Sequence, residues 1–210
     1  MTKIISAPNP VLSEASKSYV FQKDDKFLPV LLKEMEGALL EANDPKGVGL
    51  AAPQIGKNLA IFIAKPTEKS KISVFINPKI LYDERGDSPG RVPDSAEFVR
   101  RGARLERALA GGKGEAGPRS KGIKKLEGCL SLPNIWGEVK RSPEVTLSYF
   151  DQRGVQRTKN FTGFMATIAQ HEVDHLHGIL FPRRVLEQKG KLYKSSKNKK
   201  GEDEFEELSI

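Results

Sequence analysis

Two of the three histidines in this 210-residue chain lie four residues apart, in Gln170-His171-Glu172-Val173-Asp174-His175-Leu176, with a glutamate directly after the first. On an α-helix that spacing stacks both imidazoles on one face, about one turn apart, where they can grip a single metal ion. The glutamate is displaced around the helix, too far to be a third ligand but close enough to reach a water held by the ion. This is the grammar of metal-assisted hydrolysis. His177 follows His175 by two residues, so on a continuous helix it points nearly the opposite way and stands outside the ligand set.

A catalytic site of this type wants three protein ligands and one open position. The missing ligand can come from downstream, where the acids are Glu187 and a cluster beginning at Glu202, or from upstream, where Cys129 stands in Glu127-Gly128-Cys129-Leu130-Ser131-Leu132-Pro133. Neither downstream acid sits in a strong apolar helix. By itself a lone cysteine reads as a small buried hydrophobe. With only one cysteine an internal disulfide is excluded, which fits a reducing cytoplasm. The amino-terminal residues lack the apolar stretch of a signal peptide, and no run is long enough to span a membrane.

The motif helix is expected from about Gly163 to His177, with Thr162 as its N-cap and Gly178 beyond its end. An amphipathic helix is expected over 27–42, where Leu28, Leu31, Leu32, Met35 and Leu39 recur at helical spacing. Asp24 or Asp25 can cap its start. Strand-like runs lie at 60–64, 72–77, 138–140 and 144–150, the last followed by a turn at Asp151-Gln152-Arg153-Gly154. Residues 84–125 are rich in Gly, Pro and Arg and carry 11 basic against 6 acidic side chains. They read as a basic insertion, disordered or a mobile loop; 95–110 could form a charged helix, but its apolar positions are too sparse for a core. Residues 183–200 hold eight positive charges against Glu187, and the last ten residues hold five acids. The expectation there is a short helix and then a frayed, charge-segregated tail. The organisation is therefore one catalytic domain, 1–182, with a charged extension over 183–210. A net charge of +8 permits contact with a polyanion without requiring it.

Three separated segments, Gly47-Val48-Gly49-Leu50-Ala51-Ala52-Pro53-Gln54-Ile55-Gly56, Glu127–Ser131 and Gln170–Gly178, together resemble the peptide deformylases. The opening Ile4-Ile5-Ser6-Ala7-Pro8-Asn9-Pro10-Val11-Leu12 and the stretch Trp136-Gly137-Glu138-Val139-Lys140-Arg141 are similar to that family as well. The resemblance implies an α+β deformylase fold, with mixed or antiparallel sheets around the central metal-binding helix. It implies that Cys129, His171 and His175 bind one divalent ion, Fe(II) in the cell with zinc a common substitute. A thiolate and two neutral imidazoles also suit Ni(II) or Co(II). The implied reaction removes the formyl group from the N-formylmethionyl end of nascent polypeptides and releases formate.

In that reading Glu172 is the general base, and Gln54 and the backbone N–H of Leu130 stabilise the developing oxyanion. Val48, Phe164 and Ile168 wall the methionine pocket, while Gly49 and Gly128 let the substrate backbone approach. Thr167 stands where the family often has a larger apolar residue. Asp174 is expected to pair with Arg141 rather than to bind metal. Two rival readings are a zinc metallopeptidase with a downstream acid ligand and a zinc-stabilised RNA- or ribosome-binding module. The basic segment 183–200 offers a contact to ribosomal RNA, with a solvated tail as the plainer alternative.

Overall fold

In the computed structural model the described residues are 2–43, 45–83, 123–198 and 203–208. In chain order the elements are α1 (Phe27–Glu41), β1 (Gly49–Ala51), β2 (Ile61–Ala64), β3 (Ser73–Asp83), β4 (Ile123–Cys129), β5 (Leu132–Arg141), β6 (Glu144–Phe150) and β7 (Gln156–Thr162). The motif helix α2 (Gly163–Leu176), the short α3 (Phe181–Glu187), β8 (Leu192–Lys197) and β9 (Asp203–Glu207) complete the order. Every named strand pair is antiparallel. The expected α+β class is what the chain adopts.

One sheet has the order β1-β2-β3-β6-β7 and is covered by a helix on each face. Side chains alternate along a strand, so β2, Ile61-Phe62-Ile63-Ala64, can be buried at all four positions only if both faces are covered. Ile61 and Ile63 meet Leu28, Leu31, Met35 and Leu39 of α1. Phe62 and Ala64 join Phe75, Val145, Leu147 and the α2 residues Ala166, Ala169 and Val173. Burying each large apolar side chain contributes about 1.5–3 kcal/mol, so this two-sided packing fixes α2 against the sheet. Asp25, of the two candidate caps, is the one that accepts the backbone N–H groups of Phe27 and Leu28.

The second sheet has the order β4-β5-β8-β9 and carries α3 on β5. Phe181, Val185 and Leu192 crowd Gly137, where any Cβ would come within 3.0 Å of all three. A glycine is therefore required at that position for the helix to seat on the strand. β4 ends at Cys129 and is an edge strand among the described residues, as is β1.

The expected frayed tail is instead a hairpin: β8 pairs with β5, β9 pairs with β8, and Leu192 is buried. Segregated charge hid it: the lysines and the acids lie in separate segments, and Lys191 meets Glu207 and Lys197 meets Asp203 only once the chain turns back. β7 is nearly all polar and exposed, so it carries no hydrophobic signal, yet it pairs along its whole length with β6. Residues 123–125, assigned to the insertion, begin β4. The stretch 95–110, where a charged helix could form, and the rest of the insertion up to residue 122 lie outside the described residues.

Candidate metal centre

β7 runs directly into α2, with Gly163 at φ +61°, and the helix closes where Gly178 takes φ +69°. A Cβ on Gly178 would strike the Ser13 backbone, so the amino-terminal segment locks this end of the helix. On α2 the rings of His171 and His175 lie with centroids 5.0 Å apart. β4 ends beside them and places the Cys129 sulfur 3.1 Å from His175 Nε2. One ligand atom from each of Cys129, His171 and His175 falls within 4.8 Å of the others. The spacing of the histidines is thus complemented by a residue more than forty positions upstream. His177 turns away and donates its Nδ1–H to the Val173 carbonyl.

The donor chemistry fits a metal ion. Burial alone would push the Cys129 thiol up, but the adjoining His175 and His171 more than offset it and hold the thiol at about 5. A thiolate is the form that binds metal. His171 donates its Nδ1–H to Glu127 Oε2 at 3.0 Å, which leaves Nε2 for the ion. Burial disfavours charge on His171, yet Cys129 and Glu127 raise its pKa well above the usual histidine value. The Cys129 sulfur and the Glu127 carboxylate therefore both favour positive charge at this point.

Glu172 is buried, and its Oε2 has no hydrogen-bond partner among the described residues. Burial lifts its carboxyl to about 7, against the pull of His171 and His175 in the other direction. Gly49 of β1 lies directly against this carboxylate, and a Cβ there would overlap Glu172 Oε1. Gln54 accepts the Ala51 N–H through Oε1, while its Nε2 donates to Ser131 Oγ at 3.2 Å and faces Cys129 Sγ at 3.6 Å. One amide side chain thereby joins the Gly47–Gly56 segment to the cysteine segment.

A cavity of about 210 Å³ opens between β1, β4 and α2. That size admits one side chain and the group behind it. The structure brings together every residue singled out from the sequence: Val48, Gly49, Gln54, Gly128, Cys129, Leu130, Phe164, Ile168, His171 and Glu172 all line it, and His175 stands buried behind Cys129. Ile168 is buried, whereas Phe164 is half exposed at the rim.

The sequence reading missed the role of Glu127, which supports His171, and further wall residues, among them Lys125 and Trp136. A signal was present, because Lys125, Glu127 and Cys129 alternate on one face of a strand. It was masked by assigning residues up to 125 to the insertion. The expected Asp174–Arg141 pair is found, and Arg184 is a second, unforeseen partner of Asp174.

A sulfur and two imidazoles on a strand end and a helix, beside an unpaired carboxylate, define a metal-dependent hydrolase. Residues 1–191 match the family described as polypeptide deformylase, and the chain belongs to that family. It is 33% identical over 183 residues to peptide deformylase 1 of Bacillus cereus, covering 87% of this chain and 91% of that one. It is 32% identical to the peptide deformylase of Pseudothermotoga lettingae over 85% of this chain and 80% of the relative. Its fold is similar to the crystal structure of the peptide deformylase from Thermotoga maritima, with TM-score 0.63, 27% identity and coverage of 88% and 97%. A Met-Ala-Ser-bound crystal structure of the class I type b peptide deformylase from Acinetobacter baumannii aligns with TM-score 0.64 and 27% identity over 86% of this chain and 96% of that one. The activity is that of a metal-dependent enzyme removing the N-formyl group from nascent peptides, and the metallopeptidase alternative is not favoured. No helix among the described residues is long and apolar enough to cross a membrane.

Proposed function

We propose that Cys129, His171 and His175 hold one divalent ion, that Glu172 moves the proton, and that the formylmethionyl end of a nascent polypeptide occupies the adjoining cavity. One observation carries this reading: a sulfur and two ring nitrogens converge within 4.8 Å beside a buried carboxylate with an unpartnered oxygen. The donor set suits Fe(II), Zn(II), Ni(II) or Co(II), and Fe(II) is the ion proposed in the cell. When bound, the ion supplies Lewis acidity to the attacking water and the formyl oxygen.

The chain's own residues do the rest. With its carboxyl lifted to about 7, Glu172 populates both protonation states near neutral pH. It accepts a proton from water as the water oxygen bonds to the formyl carbon. The oxyanion that forms is met by the Gln54 amide and the backbone N–H of Leu130. Loss of one such donor costs about 3–4 kcal/mol of transition-state stabilisation. The carbon–nitrogen bond then breaks, Glu172 gives its proton to the departing amine, and formate leaves with a peptide bearing a free amino terminus. Val48, Phe164 and Ile168 receive the methionine side chain. Gly49 and Gly128 admit the peptide backbone beside the edges of β1 and β4 as an added strand.

The test is formate release from formyl-Met-Ala-Ser by protein purified without oxygen, with metal analysis of the same sample. Glu172→Ala should retain the ion and lose nearly all turnover. A variant as active as the parent would overturn the assignment. The proposed place of action is the cytoplasm, at the ribosome, with the exposed Arg183 and the lysines of 189–194 as the contact to RNA phosphates. Replacing Arg183, Lys189 and Lys194 by glutamine should weaken co-sedimentation with ribosomes at low salt; unchanged co-sedimentation would remove that contact.

A further inference from the structure

Two lysines line the cavity among the described residues: Lys46 pairs with Glu68, and Lys125 carries a charge that the deformylation chemistry leaves unused. It shares the inward face of β4 with Glu127 and Cys129 and is half-buried. Its ammonium donates to Thr167 Oγ1 at 3.2 Å and lies 5.8 Å from the centre of the Phe164 ring. Thr167 Oγ1 in turn donates to the Gly163 carbonyl at 3.3 Å, so the threonine hydroxyl orients the lysine. No described carboxylate pairs with Lys125. A lysine stem can line an apolar wall while its head stays at the opening. Held by Thr167 and Phe164, this head adds a fixed positive charge to the rim of an otherwise mostly apolar cavity.

From these contacts we infer that Lys125 is a specificity-determining residue which selects formyl peptides bearing a carboxylate side chain at the second or third residue. Four residues of strand separate Lys125 from Cys129, about 13 Å. An extended peptide with its formyl group at Cys129 and Glu172 covers that distance within its first few residues. An ammonium hydrogen bonded to a neutral hydroxyl keeps donors for an incoming carboxylate and repels an incoming lysine. Thr167 serves as a positioning residue, which accounts for a hydroxyl where the family often has a larger apolar side chain. The inference rests on the deformylase reading above.

The experiment compares kcat/KM for formyl-Met-Asp-Ser, formyl-Met-Ala-Asp, formyl-Met-Ala-Ser, formyl-Met-Lys-Ser and formyl-Met-Ala-Lys. With the metal-loaded enzyme at low ionic strength, an aspartyl peptide should exceed its lysyl counterpart by about fivefold or more at one of the two positions, the scale of a partly screened charge pair on each side of neutral. The ratio should shrink toward one as ionic strength rises from ~0.02 to ~0.5 M. Lys125→Met keeps the stem and should abolish the ratio, whatever happens to the absolute rate. Equal rates for both charge types in the parent enzyme, or a ratio that survives Lys125→Met, would overturn the inference. Should the variant fail to fold, the salt dependence in the parent decides alone. Failure to deformylate any of the five peptides would instead overturn the proposed function.

Discussion

Arg141 Nη1 donates to Asp174 Oδ2 at 2.6 Å, and both side chains are shut away from water. The same guanidinium uses Nε and Nη2 to grip both oxygens of Glu127, at 2.8 and 2.9 Å. Glu127 then accepts the His171 Nδ1–H. A line of charge-assisted hydrogen bonds therefore runs from Asp174, through Arg141 of β5 and Glu127 of β4, to the ring of His171, the proposed metal ligand on α2. The network sets where the second sheet sits relative to the helix, and hence where the sulfur sits relative to the imidazoles.

Removing Arg141 would leave two buried carboxylates without their shared cation. Asp174 would keep Arg184, but among the described residues Glu127 would keep only His171. Breaking a buried pair in this way destabilises by about 3–5 kcal/mol. Arg141→Ala should show a loss of that size in urea unfolding and should retain less metal after dialysis. Unchanged melting together with full metal occupancy would mean the network is dispensable.

Glu127 gives a stability effect with a definite sign. Burial would raise its pKa, but Arg141 and His171 prevail and hold it at about 2, below the ordinary 4.5. A depressed carboxyl stabilises the fold above its unfolded pKa, and this contribution fades as pH falls from about 4.5 through about 2. The shift corresponds to something on the order of 3 kcal/mol. Glu127→Gln should be less stable than the parent at pH 7, with the gap closing as pH falls through that window. The variant should also bind metal about 10–100-fold more weakly, because a neutral amide holds the His171 ring less firmly than a carboxylate. Unfolding curves at several pH values and competition with a chelator measure both.

The helix and its two histidines were legible because metal ligation imposes a spacing that few other roles demand. The two-helix packing was legible in part: α1 declared itself through Leu28, Leu31, Met35 and Leu39, while β2 showed only an apolar run. What the sequence hid were contacts set by pairing rather than by burial. β7 lies exposed in Gln156–Thr162, and β9 in Asp203–Glu207, so neither carries an alternating pattern. Glu127 read as part of a motif around Cys129; in the β4–β5 register it faces Gly137 while Arg141 faces Ile123, so their ion pair is a diagonal reach of the long guanidinium that no pairing rule announces. Charge pairs between strands leave no periodic trace when each partner is read alone.

Gly49 offers a steric test of the proton carrier. Its missing side chain is the space Glu172 occupies, so Gly49→Ala must push either β1 or the carboxylate aside. A displacement of about 1 Å at a reacting group lowers rate by about 10²-fold. The expected outcome is a fall of that order in kcat with metal content unchanged, since Cys129, His171 and His175 lie on other elements. A parallel loss of the ion would place the fault in the fold rather than in the position of Glu172.

The carboxy-terminal hairpin makes the last prediction. Trp136 lies over Gly128 in the cavity wall, donates its indole N–H to Ser195 Oγ at 3.1 Å, and meets Phe205 edge-on with ring centroids 5.9 Å apart. Deleting residues 199–210 removes Phe205, and with it Leu208, which packs against the Phe181, Val185 and Leu192 cluster. Losing these contacts should destabilise the protein by about 1–3 kcal/mol, through apolar area returned to water and a lost aromatic pair. Freed on one side, the Trp136 ring should hold peptide less well, so KM should rise more than kcat falls. Tryptophan fluorescence reports on this side chain directly, because the chain has only one. Identical fluorescence, melting and KM in the deletion variant would return residues 199–210 to the role of a solvated tail.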